Sequence, residues 1–343
     1  MSKIRPLCTS VFLYGCAVTF IACEVISPAA PDPETILNES VENLTPEQLR
    51  NHSQGDEEFG RVFAVADGLG PIFVSNSCES CHVGDGKGHP ATTLTRFNRP
   101  DGLDFDPMVS VGASQLQQRA IPGYTAEVLP VDVRGSARLT PPAVTGLGYL
   151  AAVPDADLLA MADPADADGD GISGVPNYLP PPDFFVPQSF HVRDNLGRYI
   201  GRFGKKAGAI DLLQQTANAY LLDIGITSDF LTEDLYNELI GNHTGDNVPD
   251  PEVSASVIRN VVFYLRTLKA PPRRNAQHPD VLAGKKTFAE TGCNGCHVAT
   301  LKTGLTDIQA PLYSIGREIS PQRTVRVRAH LDEEDPGSCR VCT

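Results

Sequence analysis

Apolar positions repeat with a helical period in two stretches of this 343-residue chain. In the first, from Ile210 to Ile224, apolar residues recur on one face, and Gly225 follows where helices commonly end. The second runs from Val257 to Leu268 and has prolines before and after it. Both stretches are therefore predicted to be amphipathic helices. The stripe residues are Leu213, Ala217, Tyr220 and Ile224, and then Val257, Val261, Tyr264, Leu265 and Leu268.

Shorter helical patterns occur at two other places. Phe59 and Phe63, after Asp56, predict a short helix, and Gly284 and Phe288 share one helical face further along. No strand-like alternation of comparable length is present, and the 28 Pro and 30 Gly residues indicate long loops. The chain is therefore predicted to be mainly α, with irregular connections.

Each of the two short helical patterns leads into a pentapeptide of the form Cys-x-x-Cys-His. In this motif the two thiols bond covalently to a porphyrin, and the histidine becomes an axial ligand of the iron. The chain is therefore predicted to carry two covalently attached c-type haems in cytochrome c-like domains. The attachment residues are Cys78, Cys81, Cys293 and Cys296, and the proximal ligands are His82 and His297.

Zinc and a redox dithiol are the alternatives for these pentapeptides. Paired zinc motifs usually lie about 15–20 residues apart, whereas these two are separated by more than two hundred. A redox dithiol does not require the histidine that directly follows each second cysteine. Haem attachment explains both features.

The first residues are typical of an export signal. Lys3 and Arg5 precede a mostly apolar stretch that is short for a membrane span. The segment ending at Cys23 resembles a lipoprotein cleavage box, with cleavage near Ala30 and an uncleaved anchor as alternatives. Each of these three possibilities places the folded part of the protein outside the cytosol, in the periplasm or outer envelope of a bacterium. The lipoprotein alternative also predicts membrane association through a lipid anchor.

The formal charge of −14 makes binding to nucleic acid phosphates improbable on physical grounds. Four regions are predicted from composition and motifs. They are a lipoprotein-type signal peptide at 1–23, a flexible tether at 24–54, an N-terminal haem domain at 55–275, and an incomplete C-terminal cytochrome c-like domain at 276–343.

An acidic segment in the middle of the chain matches the opening of a calcium-binding loop. Alternating carboxylates are followed by a glycine that permits a sharp turn, although no glutamate stands at the twelfth position. A solvated acidic turn is the alternative. The candidate calcium ligands are Asp166, Asp168, Asp170, the backbone carbonyl of Ile172, and Asn177.

Distal haem ligands and acid-base groups are candidates without a motif. Met108 is a possible distal iron ligand or a buried space-filling residue, and His191 and His243 are further possible ligands. Glu127 is the candidate proton shuttle for peroxide cleavage, with Tyr124 as an alternative hydrogen-bond donor.

Beyond the two haem motifs, several segments resemble the bacterial di-haem oxidoreductase family, whose members are described as peroxidases or thiol oxidoreductases. This family is related to the di-haem cytochrome c peroxidases. The resemblance covers roughly residues 55 to 304. The matching segments are 68–71, 140–148, 162–164, 168–174, 201–204 with 206–207, 223–227 and 303–304.

Two features depart from the family pattern. Lys205 stands where the family often has tryptophan, and the family continues for about a hundred residues beyond Gly304 through a different sequence from the arginine-rich tail here. The C-terminal part is therefore expected to be truncated or frameshifted, with a genuinely short relative as the alternative. Its final Cys-x-x-Cys, without a histidine, is expected to have no function, with a disulfide or metal site as the alternative.

The resemblance implies an exported oxidoreductase that receives electrons from a small redox protein and reduces peroxide or a related substrate. It also supports calcium, because related di-haem peroxidases hold calcium near their haem domains. The alternative is a di-haem electron carrier without its own substrate, or a catalytically impaired relative.

Overall fold

The computed structural model describes residues 36–101, 104–106, 115–133, 135–241 and 244–304, together with two-residue strands at 307–308, 325–326 and 338–339. The predicted signal peptide, Met108 and His243 lie outside these residues. Contacts group residues 37–343 into one unit and residues 1–36 into another. The architecture below is that of the larger unit.

Three helices form the core of this unit. Helix α1 (Pro46–Gly60) is followed by two short helices, α2 (Leu147–Ala151) and α3 (Asp155–Leu159), and then by α4 (Leu212–Ala219) and α5 (Ala255–Thr267). Helices α1 and α4 both pack against α5. A sixth helix, α6 (Pro279–Glu290), has no buried residue.

Helix α1 begins inside the segment predicted to be a flexible tether. Thr45 caps its first turn, and the side chains of Thr45 and Gln48 exchange hydrogen bonds with each other's backbone amides. His52 and Phe59 are buried against α5, so this segment gains core contacts that composition did not reveal. The observed helix starts at Pro46, ten residues before Asp56, after which the Phe59 and Phe63 pattern predicted a short helix.

The crossing of α1 and α5 is close. A methyl group at Gly55 would overlap the carbonyl oxygen of Asn260 and the side chain of Tyr264. Only glycine therefore allows the two backbones to approach this far, at a cost to helix propensity of about 1 kcal/mol relative to alanine.

The two long helical predictions are confirmed. Helix α4 continues as a π-helical turn over Tyr220–Ile224 and ends at Gly225, whose φ of 79° is left-handed. Helix α5 buries Val261, Tyr264 and Leu265, as the apolar stripe predicts. The helix predicted before the second pentapeptide is also present as α6.

The prediction of a mainly α protein with cytochrome c-like domains is wrong. The structure is 30% helical and 12% strand, with six helices and many short strands among the described residues. Most strands have two residues, which is too short to produce a period-two pattern, and the five-residue β5 is mostly exposed. The eight-residue β2 has only two large apolar residues, Leu94 and Phe97, and they are three positions apart. These strands therefore left no alternation in the sequence.

The strands form five small antiparallel sheets in the described part of the chain. Their order is β3–β2–β5 in the largest sheet, and the pairs are β1–β4, β6–β7, β8–β11 and β9–β10. The bounds are β1 Ile72–Phe73, β2 Leu94–Asp101, β3 Asp104–Asp106, β4 Arg119–Ala120, β5 Gly135–Leu139, β6 Tyr178–Leu179, β7 Tyr199–Ile200, β8 Leu301–Lys302, β9 Asp307–Ile308, β10 Val325–Arg326 and β11 Ser338–Cys339.

Across the described residues, every helix is too short or too polar to span a bilayer.

Candidate functional site

The first pentapeptide follows β1 and forms a tight turn. The amides of Cys81 and His82 both donate to the carbonyl of Cys78, at 3.1 and 2.9 Å. The amides of Val74 and Ser75, just before this turn, both donate to the carbonyl of Asp223 in the π-helical turn. The α4 end of the core thus holds the pentapeptide in place.

Both cysteines of this turn are free, partly buried thiols. Burial, with the nearby charge of Asp223, raises the pKa of Cys78 to about 12, and burial also raises the pKa of Cys81. The two thiols are therefore protonated at neutral pH. Buried thiols of this kind lack the lowered pKa of a catalytic dithiol.

His82 has the hydrogen bond that an iron-ligating imidazole needs. Its Nδ1 lies 2.8 Å from the carbonyl oxygen of Pro142, so Nδ1 carries the proton and donates it. Burial lowers the pKa of His82, which keeps the ring neutral. Nε2 then retains its lone pair. Two thiols beside a neutral, oriented imidazole are a donor set that fits a covalently attached haem.

The second pentapeptide has the same turn in a different environment. The amide of His297 donates to the carbonyl of Cys293 at 2.9 Å, as His82 does to Cys78. Phe288 of α6 lies edge-on to His297, with 5.8 Å between ring centroids. Yet Cys293, Cys296 and His297 are all exposed. The donor set fits a second haem, whose apolar surface would cover side chains that are exposed here.

Glu127 is buried and hydrogen-bonded to the segment that precedes β4. Its Oε2 accepts a hydrogen bond of 2.7 Å from the amide of Gln117, while Oε1 is buried without a partner among the described residues. Burial, aided by the charge of Glu238, raises its pKa to about 7. A carboxyl group with this pKa can accept and release a proton near neutrality.

The segment that carries Gln117 is tied to the first pentapeptide. Strand β4 places Arg119 opposite Phe73 and Ala120 opposite Ile72 of β1. The side-chain amide of Gln115 donates to the Asp223 carboxylate at 2.6 Å. The sequence-predicted proton shuttle and the first haem motif therefore belong to one packed assembly.

Gln117 was missed by the sequence analysis. It is 2% exposed, and its Oε1 is buried without a partner among the described residues. An unpaired buried amide oxygen costs free energy, so such a group is a candidate for contact with a bound molecule. No sequence signal distinguishes this glutamine from Gln115 or Gln118.

The pKa of Glu127 predicts a change of stability with pH. Below about pH 4.5 the carboxyl is protonated in both folded and unfolded chains. Between about pH 4.5 and 7 it ionises only when unfolded, so the folded state loses up to about 3 kcal/mol and the loss is complete above pH 7. Across this range, the free energy of urea unfolding should fall more steeply with rising pH for the wild type than for Glu127→Gln. An equal fall of this free energy in the two proteins would contradict the raised pKa of Glu127.

The acidic loop has a somewhat different geometry from the predicted calcium site. One oxygen each of Asp163, Asp166 and Asp168 lie within 4.8 Å of one another, so Asp163 takes the place expected for Asp170. Asp170 instead accepts from the amide of Ile172. Loop amides also donate to Asp163 and Asp166, so a solvated acidic turn and a cation site both remain compatible with the loop.

Two other predicted ligands have partners elsewhere. The side-chain amide of Asn177 donates to the carbonyls of Lys206 and Ala207, which directs it to a different loop. Nδ1 of His191 accepts from the amide of Gln188 at 2.9 Å, so the proton of the neutral ring is on Nε2. Burial lowers the His191 pKa to about 4. This tautomer offers iron no lone pair at Nε2.

The acidic loop touches the second pentapeptide. A side chain at Gly295 would overlap Cδ1 of Ile172, and Asp170 is also close. Further along, the amide of Gly304 donates to the carbonyl of Ala152 at 2.8 Å. The otherwise exposed second motif is therefore held against the loop at 163–172 and the end of α2.

Arg202 connects these loops to the core. It forms a buried ion pair with Asp155, and its Nη1 donates to the carbonyl of Val153 at 2.5 Å. The side chains of Arg202 and Asp155 are 2% and 1% exposed. Asp155 also accepts from the amide of Val192 at 2.6 Å. The buried Arg202–Asp155 pair thus links three segments of the chain, which contain residues 153–155, residue 192 and residue 202.

Comparison with known proteins identifies one family. A family model described as "Di-haem oxidoreductase, putative peroxidase" matches residues 108–316, which is more than half of the chain. No curated protein and no solved structure matches the chain. The matched region contains Glu127, the acidic loop, Arg202 and the second haem motif. The chain therefore belongs to the di-haem oxidoreductase family.

Proposed function

We propose that this protein is an exported c-type di-haem oxidoreductase that reduces hydrogen peroxide or a related substrate with electrons from a small redox protein. The observation that carries the proposal is the buried Glu127 and Gln117 pair. Gln117 lies two residues before β4, which pairs with the strand that leads into the first haem motif. Family membership supports the peroxidase type of reaction.

Residues around the first motif supply binding and proton transfer. A haem held by Cys78, Cys81 and His82 would supply the redox-active iron. Peroxide reduction to two waters consumes two electrons and two protons. Oε1 of ionised Glu127 can take a proton from one peroxide oxygen and return it to the departing oxygen. The side-chain amide of Gln117 can orient the peroxide by hydrogen bonding.

The finer assignments rest on sequence patterns. A lipid anchor at Cys23, a location in the bacterial periplasm or outer envelope, and calcium at the loop near Asp168 are part of this proposal. The contact between the acidic loop and Gly295 supports calcium, because an ion there would stabilise the segment that carries the second motif.

Stopped-flow mixing of the fully reduced protein with hydrogen peroxide tests the function. We expect rapid oxidation in the wild type and a rate lower by about 10²-fold in Glu127→Gln, because a positioned acid-base group contributes about this much. The wild-type rate should rise with pH around 7 as Glu127 ionises, and the variant should lose this dependence.

Glu57→Gln is the matched control, since Glu57 is exposed on α1. It should oxidise at the wild-type rate. Slow oxidation of the wild type itself would exclude the peroxidase and leave the electron carrier. Equal rates in wild type and Glu127→Gln would exclude Glu127 from proton transfer.

A further inference from the structure

A second group of carboxylates lies apart from the acidic loop and from both haem motifs. Its members are Asp234, Asp246 and Glu252, and one oxygen from each lies within 4.8 Å of the others. Asp246 is 3% exposed, and the other two are partly buried. Their spacing in the sequence follows no known metal-binding motif, so the folded chain alone brings them together.

In each carboxylate, one oxygen accepts a hydrogen bond from a backbone amide and the other oxygen accepts none among the described residues. Oδ2 of Asp234 accepts from the amide of Asp246 at 3.0 Å, Oδ1 of Asp246 accepts from the amide of Val248 at 2.7 Å, and Oε2 of Glu252 accepts from the amide of Thr227 at 2.5 Å. The second oxygen of each is buried and has no partner among the described residues. Three oriented, unsatisfied acceptors are costly unless something binds them.

The local charge also calls for a cation. Asp250 adds a further carboxylate, whose charge acts on both Asp234 and Glu252. A bound cation would offset the repulsion among these acidic groups.

We propose that Asp234, Asp246 and Glu252 bind a calcium ion. The donors are oxygen atoms only, with no nitrogen or sulfur ligand, which favours a hard cation. Carboxylates contributed by a loop and anchored by backbone amides suit the flexible geometry of calcium better than the strict octahedron of magnesium. This site is separate from the loop that contains Asp163, Asp166 and Asp168.

The proposed ion would also fix the segment that carries Glu127. The side-chain amide of Asn237 donates to the carbonyls of Thr125 and Ala126, at 3.2 and 3.1 Å. The hydroxyl of Tyr124 donates to the carbonyl of Gly245, directly before Asp246. The chain between Asp234 and Asp246 is therefore hydrogen-bonded to residues 124–126, which directly precede Glu127. A bound ion would thereby help to position Glu127.

Calcium binding to the full-length, metal-free protein tests the proposal. Equilibrium dialysis with calcium, read by elemental analysis, should show one ion fewer per chain in Asp246→Asn than in the wild type. Asp168→Asn is the matched control, because it alters the other acidic group and leaves this site intact. On its own it should also bind one ion fewer, because the proposed function places calcium at its loop. Adding Asp246→Asn to Asp168→Asn should remove one further ion.

Thermal unfolding separates binding from misfolding. In chelator, Asp246→Asn and Glu252→Gln should be at least as stable as the wild type, because each removes one charge from a repelling group. Calcium at about 1 mM should raise the melting temperature of the wild type by several degrees more than that of Asp246→Asn or Glu252→Gln. It should likewise raise that of Asp168→Asn by several degrees more than that of the double variant Asp168→Asn with Asp246→Asn.

Three results would overturn the proposal. The first is an unchanged number of bound calcium ions in folded Asp246→Asn and Glu252→Gln. The second is a calcium-induced rise in melting temperature that is equal in the wild type and in Asp246→Asn. The third is an equal response to magnesium alone, which would reject calcium as the ion.

Discussion

Replacement of both cysteines in one haem motif by serine should halve the covalently bound haem, with different consequences for the two motifs. Cys293→Ser with Cys296→Ser should leave the folded core intact, because both residues are exposed and α6 has no buried residue. Cys78→Ser with Cys81→Ser should lower stability as well, because Cys78 packs against the apolar core. Pyridine haemochrome absorbance measures haem, and thermal unfolding measures stability.

The variant without either cysteine pair provides the control, since it should contain no covalent haem. Undiminished haem in either double-serine variant would exclude covalent attachment at that motif. Equal loss of stability in the two variants would contradict the difference in burial between the motifs.

Asp155→Ala should destabilise the protein by about 3–5 kcal/mol, the usual cost of breaking a buried ion pair. The change leaves the guanidinium of Arg202 buried without its carboxylate and also removes the acceptor for the amide of Val192. The free energy of urea unfolding is the measurement. A double replacement, Asp155→Leu with Arg202→Met, should recover most of the loss, because no uncompensated charge remains.

Asp194→Ala is the comparison for this variant. Asp194 pairs with Arg198 four residues later, where the arginine side chain is 39% exposed, and it also accepts hydrogen bonds from the amides of Leu196 and Arg198. Solvent screens this ion pair, so the loss should come mainly from the two amide hydrogen bonds and be smaller than that in Asp155→Ala. A loss in Asp155→Ala no larger than that in Asp194→Ala would show that burial does not govern the Arg202 pair.

The sequence predicted the parts of this protein that depend on local spacing. The helix from Leu212 onward and the helix from Ala255 onward follow from apolar residues that recur every three to four positions. The haem-attachment motifs were predicted because attachment chemistry requires fixed neighbours, and their role in covalent attachment stays a prediction. Glu127 was chosen without a motif, and its burial supports the choice without testing catalysis.

The parts that were missed depend on contacts between distant residues. The two-residue strands are too short for a periodic pattern, and Gln117 resembles any other glutamine until the fold buries it. Asp163 joins Asp166 and Asp168 only because the chain turns back between them. The start of α1 depends on the Thr45 cap and on packing against α5, neither of which composition records.

The missing side chain at Gly55 makes the first haem motif sensitive to a remote change. Any larger residue at this position would push α1 away from α5, and α1 also carries Phe59, whose ring lies 6.1 Å from that of His82. The gap between two backbones therefore sets how closely the Phe59 ring lies against the imidazole of His82. A single methyl group at the crossing is expected to shift these two rings relative to each other without replacing a cysteine, a histidine or any acid-base group.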